Sequence, residues 1–342
     1  MINLGLVGVG YWGANLARNL NSTENARLAW ICDANEKALA KIAGGYPKAR
    51  TTGSLDEMLA AADLDAVVVA TPARSHFDLA RQCLNAGKHV LVEKPLAMST
   101  AECDELIDIA ASKGLKLMVG HTFLYSPPVL RLKELVDAGE IGDIYYAYST
   151  RANLGQIRKD VNAMWNLAPH DIAIFLYLFG VPPVTVSAKG ITRIQPGIED
   201  VVFMYLDFPG NITAHVHVSW LDPGKVRKLT LVGSKKMVIY DDVDADAKIQ
   251  ILDKGVTKIG NGGAEPFSSF GEFQLLLRAG DVLIPKIPAT EPLKAECQHF
   301  ADSIIADEPP LTDGIHGRQV VRVLEAAGES MANGSRPVEV NL

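Results

Sequence analysis

Apolar and polar positions follow two different rhythms along this chain of 342 residues. Up to about residue 121, short β-branched runs recur between segments of helical period, an order that predicts strand, helix, strand units. Strands are read at 2–8, 27–32, 66–70, 89–93 and 116–120. Runs such as Ala66 to Ala70 do not alternate, as expected of strands covered by helices on both faces. The helices between them carry boundary signals. One runs from Trp12 to Asn21, and two open on capping-box patterns, Ser54 to Glu57 and Ser99 to Glu102, where hydroxyl and carboxylate are expected to satisfy backbone N–H groups reciprocally. Gly87 stops the helix 74–86, and Gly114 stops the helix that follows Ser99. The pattern predicts an α/β protein that begins with a doubly wound parallel sheet.

Beyond Tyr125-Ser126-Pro127-Pro128 the rhythm changes to a helix near 128–138, a strand near 144–153, a helix near 163–179 and several alternating runs between 184 and 252. Strands in succession predict a second α/β domain with a mostly antiparallel, open-faced sheet. Helical periods return at 292–306 and 316–333. The domain boundary is placed near 122–126, giving domains 1–122 and 123–342, with room for the C-terminal helices to pack back on the first domain. Ile259 to Gly271, rich in Gly, Asn and Ser, reads as a loop.

Composition narrows the function. Lys and Arg number 33 against 40 Asp and Glu, with no dense basic block, so a nucleic-acid partner has little electrostatic basis. Cys32, Cys83, Cys103 and Cys297 are scattered without CxxC spacing, which argues against a zinc site or a disulfide framework and suits a reducing compartment. No apolar run reaches the roughly 18 residues that span a bilayer, and a cytoplasmic location is the default expectation.

Gly8-Val9-Gly10-Tyr11-Trp12-Gly13 is a GxGxxG run that directly follows the first strand and opens a helix, and Asp33 lies 20 residues after Gly13 at the end of the second strand. That context marks a dinucleotide site in a Rossmann-type domain: Gly8 for the tight turn, Gly10 for backbone contact with a pyrophosphate, Gly13 for close helix packing. Tyr11 and Trp12 would flank the phosphates at the helix N-terminus. Asp33 suits two ribose hydroxyls and repels a 2′-phosphate, and no arginine follows closely, so NAD is expected over NADP. Two other strand ends, Ala70-Thr71-Pro72 and Glu93-Lys94-Pro95, point to the same crevice.

The string Val90 to Ala97, with Thr71 and Pro72 followed by His76, then Val119-Gly120-His121 and a later helix carrying His170, resembles the glucose-fructose oxidoreductase, inositol dehydrogenase and MocA family (Gfo/Idh/MocA) of sugar dehydrogenases. The resemblance implies NAD chemistry at a sugar carbon. It gives Lys94 contact with the reacting hydroxyl and the nicotinamide ribose, Glu93 and His121 places beside the cofactor, a cis bond before Pro95 as an option, and His170 the acid/base role. Family members have Asp four residues before this histidine and Asp three after it; this chain has Asn166 and Ala173, with Asp171 adjacent instead. The stretch Asn153 to Asp171, including Arg158 and Trp165, looks more like the branch acting at C3 of nucleotide-linked amino sugars, including UDP-N-acetylglucosamine 3-dehydrogenases.

Arg151 and Arg158 are candidates for clamping a diphosphate, and Tyr125, Trp165 and Asp171 for facing the substrate. His215 and His217 alternate on one strand without accompanying carboxylate or cysteine ligands, so they read as sheet residues. The expected function is oxidation of a secondary alcohol, C3 of a nucleotide sugar, by NAD. A free polyol such as inositol is the alternative substrate, and an NAD-dependent glycoside hydrolase or a non-catalytic NAD-binding regulator the alternative class. An open sheet face needing cover points to a homodimer or homotetramer.

Overall fold

The computed structural model describes residues 1–155, 157–256 and 277–341, so the loop read at Ile259 to Gly271 lies outside the described residues. The chain divides into two compact units, one formed by 1–126 and 290–325, the other by 127–289 and 326–341.

The first unit holds a six-stranded sheet in the order β3-β2-β1-β4-β5-β6, parallel throughout. Its strands are β1 Ile2–Val7, β2 Ala26–Cys32, β3 Arg50–Thr52, β4 Ala66–Val69, β5 His89–Glu93 and β6 Leu117–Gly120. The three-residue β3 escaped the sequence reading because it is too short to show a period. Helices α1 Tyr11–Leu20, α2 Glu36–Ala43, α3 Leu55–Leu59, α4 His76–Asn85 and α5 Thr100–Ser112 connect the strands. Their hydroxyl caps form, Ser54 accepting from Glu57 N and Ser99 from Glu102 N. The reciprocal half differs from expectation. Ser54 N–H reaches Glu57 through the Thr52 hydroxyl, at 3.0 and 2.5 Å, and Glu102 accepts from Met98 N–H instead of Ser99 N–H. Helix α8, Pro292–Ala306, belongs to this unit and packs on α1 and on the 3₁₀ turn Thr122–Tyr125 after β6.

Among the described residues the second unit is a nine-stranded sheet, β14-β13-β12-β11-β7-β10-β9-β8-β15, in which β8 is Thr185–Ile191, β11 Leu221–Gly233, β12 Met237–Asp241, β13 Ile249–Val256, β14 Leu277–Leu283 and β15 Val338–Glu339. Among the described residues only β7 Ile144–Leu154 and β10 Ile212–Ser219 pair in parallel; the other ladders are antiparallel. Helix α6, Pro127–Asp137, leads into it, and α7, Ala163–Phe179, packs on β7, on β9 Val201–Phe208 and on β10. Helix α7 is capped by Asn162, which accepts Trp165 N–H at 3.0 Å, and ended by Gly180 in the left-handed region at φ +69°. Against α7 the strands bury Ala147, Val202, Met204, Leu206, Ala214, Val216 and Val218; the alternating positions Tyr146, Tyr148, Tyr205, His215 and His217 face the other way and stay partly exposed. Helix α9, Gly314–Ala332, closes the chain before β15. No helix among the described residues is long and apolar enough to cross a membrane.

Candidate active site

The glycine turn after β1 shows why each glycine is there. Gly8 has φ +93°, and a Cβ on it would stand 2.8 Å from the Ala70 carbonyl oxygen; a Cβ on Gly13 would stand 2.0 Å from the Gly8 carbonyl oxygen. Both positions are closed by backbone. A Cβ on Gly10 meets nothing within 4 Å, so the chain itself gives no reason for that glycine, and space for a ligand against the backbone does. Gly10 caps α1 without a side-chain acceptor and the first turn carries no acidic residue, which leaves its N–H groups to an anion. These features suit the pyrophosphate of NAD. Tyr11 stands fully in solvent, while Trp12 turns inward to donate its indole N–H to Glu93 Oε1.

Asp33 follows β2 and lines an open cleft with Ala34, Asn35, Glu36 and Lys37. Its carboxylate also accepts Val9 N–H at 2.7 Å and Asn35 N–H at 2.8 Å, so the residue expected at the ribose also ties the glycine turn to the cap of α2. Thr71 and Pro72 lie at the end of β4, half-buried and exposed.

His76, expected at the cofactor, is instead an internal bracket. It is 1% exposed, with Nδ1 2.7 Å from the Pro95 carbonyl and Nε2 2.9 Å from the Thr71 carbonyl, and so pins two strand ends together. The Lys94–Pro95 bond is cis. His121 is equally buried and presents no surface to a ligand; its ring packs edge-on against His316 of α9 at 5.2 Å. Burial, His316 and the Lys94 charge push its proton affinity well below the ordinary histidine range, so it stays neutral. Tyr125, read as facing the substrate, is buried with its hydroxyl 3.0 Å from Thr312 Oγ1.

Glu93 is the perturbed carboxyl of the site. Its Oε2 accepts Lys94 N–H at 3.3 Å, and burial pushes it up to about 7 against the pull of Lys94 and Trp12. Gly120, opposite Glu93 on β6, makes this possible: a Cβ there would lie 3.2 Å from Glu93 Cα, Cδ and Oε2. Gly120 was read only as part of the Val119 to His121 string, with no role of its own, and Glu296, a fully buried carboxyl on α8, did not stand out from the sequence. A signal for Glu296 existed, since Leu293, Glu296, Cys297 and Phe300 share an apolar stripe at helical spacing, where a charge is out of place.

In the second unit, His170 is half-buried on α7 directly after Pro169, which removes the hydrogen bond that a residue-169 N–H would give the Trp165 carbonyl. Trp165 is half-buried one turn earlier, and Asn166 Oδ1 accepts the Trp220 indole N–H at 3.2 Å. Arg151 and Asp171, both read as substrate residues, meet each other. Both are buried, with Arg151 Nε 2.7 Å and Nη2 3.4 Å from the two oxygens of Asp171, a forked pair locking α7 to β7. Arg158 is half-exposed; Nε and Nη2 engage Asp160 at 2.9 and 2.6 Å, and Gln195 holds its carbonyl. On the sheet face opposite α7, His217 stacks on Phe203 and His215 packs at a tilt against Tyr205.

Comparison with known proteins agrees with this geometry. Residues 2–121 match the Gfo/Idh/MocA oxidoreductase family, NAD-binding Rossmann fold, and residues 129–239 match the Gfo/Idh/MocA C-terminal domain. The chain is 27% identical over 319 residues, 93% of either chain, to UDP-N-acetylglucosamine 3-dehydrogenase of Acidithiobacillus ferrooxidans. A solved structure of that enzyme superposes with a TM-score of 0.82 at 25% identity, covering 97% of this chain and 98% of the other. GenD2 from gentamicin A biosynthesis, solved with NAD, gives 0.82 at 26% identity over 100% and 97%. Inositol 2-dehydrogenase of Rhizobium meliloti is 30% identical over 205 residues, 58% of this chain and 61% of its own; matches to several curated relatives span only about three-fifths of their length. As the first match takes in the whole glycine-turn sheet and the second runs from α6 into the antiparallel sheet, the chain belongs to the Gfo/Idh/MocA family of NAD-binding oxidoreductases.

Proposed function

We propose that this protein oxidises a secondary alcohol, at C3, of a nucleotide-linked sugar of the UDP-N-acetylglucosamine class. The observation that carries the reading is likeness along nearly the full length, in sequence and in fold, to an enzyme of that activity. The chemistry supplied by NAD, when bound, is acceptance of a hydride. The turn closed by Gly8 and Gly13 would hold its pyrophosphate against the Gly10 backbone, Asp33 would hold its ribose, and Glu93 would lie beside the nicotinamide. His170 takes the hydroxyl proton as the alcohol becomes a ketone, and Lys94 donates to the developing alkoxide, lowering the barrier by charge stabilisation. Arg158 remains the diphosphate candidate: with Nε and Nη2 on Asp160, its Nη1 edge is the one left to a phosphate. The identity to inositol 2-dehydrogenase supports free polyols as the second reading.

NADH formation with UDP-N-acetylglucosamine, free N-acetylglucosamine and myo-inositol separates the two. The nucleotide is expected to raise kcat as well as affinity, because remote binding energy orients the reacting carbon. Turnover of inositol or the free sugar at equal efficiency overturns the nucleotide-sugar reading. We also infer that a second copy of the chain covers the Tyr146, Tyr148, Tyr205 sheet face. Sedimentation as a single chain at micromolar concentration contradicts this.

A further inference from the structure

Behind Glu93 lies a second carboxyl to which the dehydrogenase reading gives no part. Glu296, on α8, is 0% exposed. Its Oε2 accepts the Thr122 hydroxyl at 2.7 Å, two residues beyond the Gly120 backbone on which the Glu93 carboxyl rests. Its Oε1 is buried and meets no hydrogen-bond partner among the described residues. A carboxylate oxygen so placed is costly, whereas a protonated carboxyl removes the charge and leaves Oε2 as the natural acceptor for Thr122. We propose that Glu296 is a positioning residue for Glu93, kept as an un-ionised carboxylic acid so that Glu93 alone carries the negative charge of the pair.

The surroundings agree. Burial and the Glu93 charge both raise the proton affinity of Glu296 well above the carboxylate range. Two carboxyls in one low-dielectric region do not ionise together. Around them, Lys94 at the end of β5 is the cation acting on Glu93, Trp12 from α1 is neutral, His121 after β6 stays neutral, and His316 of α9 packs on His121. Glu93 thereby becomes the member whose charge changes near pH 7. On the reading that Glu93 lies beside the nicotinamide, oxidised cofactor, cationic at that ring, binds more tightly as pH rises through about 7, and NADH does not.

Infrared spectra of the cofactor-free protein, with glutamate isotopically labelled in its carboxyl, test the pair independently of any substrate or cofactor role. At about pH 8, above the ordinary carboxyl range, a protonated-carboxyl carbonyl band is expected in the wild type and absent from Glu296→Gln. Should that variant fail to fold, Glu93→Gln decides. Losing the like charge is expected to bring the titration of the Glu296 band down by about one pH unit or more. Absence of the band in the wild type, or an identical titration with and without the Glu93 charge, overturns the proposal. If instead the band behaves as expected and NAD affinity shows no pH dependence, the placement of Glu93 at the nicotinamide fails while the carboxyl pair stands.

Discussion

Three glycines in one turn illustrate how differently the same residue type is constrained. Gly13→Ala places a Cβ 2.0 Å from a backbone oxygen that cannot step aside, and is expected to destabilise the first unit by about 3 kcal/mol. Gly10→Ala meets no atom within 4 Å, so stability is expected to stay within about 0.5 kcal/mol. NAD affinity in Gly10→Ala nevertheless falls, by about tenfold or more, because the pyrophosphate approaches that backbone. Urea unfolding and cofactor titration of both variants check the contrast; unchanged NAD affinity in Gly10→Ala would show that nothing binds there. These roles were legible because the motif, the strand before it and the helix after it are contiguous in sequence. The roles of Gly120 and Glu296 were not, since each is defined by a neighbour brought in by folding: the Glu93 carboxyl lying on Gly120, and Thr122 meeting a helix that begins some 170 residues later.

Helix α7 lies where its long apolar run, near 163–179, predicts it, and the structure sets its ends by an asparagine cap and a C-terminal glycine. The direction in which its charged residue points was not legible. Asp171 turns into the sheet to meet Arg151, and a sequence that shows an arginine near a crevice does not reveal that the arginine is already paired. The pair is buried on both sides, so Asp171→Asn removes the carboxylate charge from beside a buried guanidinium and is expected to cost about 3–5 kcal/mol in urea unfolding. The double replacement Arg151→Met with Asp171→Leu is expected to recover most of that loss. If Asp171→Asn leaves stability intact, the pair does not hold α7, and the orientation of its neighbour His170 has another origin. The capping boxes carry a similar lesson on a smaller scale. Their hydroxyl halves form as the pattern dictates, while the carboxylates take the Thr52 hydroxyl and Met98 N–H, acceptor choices set by the loop preceding each helix.

At the scale of the whole molecule, fold class came through the change of rhythm from strand-and-helix alternation to successive strands. The two sheets are that change made physical, one fully parallel, the other with a single parallel ladder. Substrate identity is less legible, since it depends on few side chains, and of the residues first taken for the substrate Arg151, Asp171 and Tyr125 are buried. What remains is the proposed reaction, with His170 for the proton, Lys94 for the alkoxide and C3 of a nucleotide sugar as the hydride source. The most direct test supplies UDP-N-acetylglucosamine deuterated at C3 together with NAD and follows the label by mass spectrometry. Deuterium is predicted to appear in the reduced nicotinamide, with a 3-keto sugar nucleotide as the co-product and with turnover lowered about 10²-fold or more in His170→Ala. Reduced cofactor without deuterium, or no reduced cofactor from the nucleotide sugar while a free polyol is oxidised, would contradict the account.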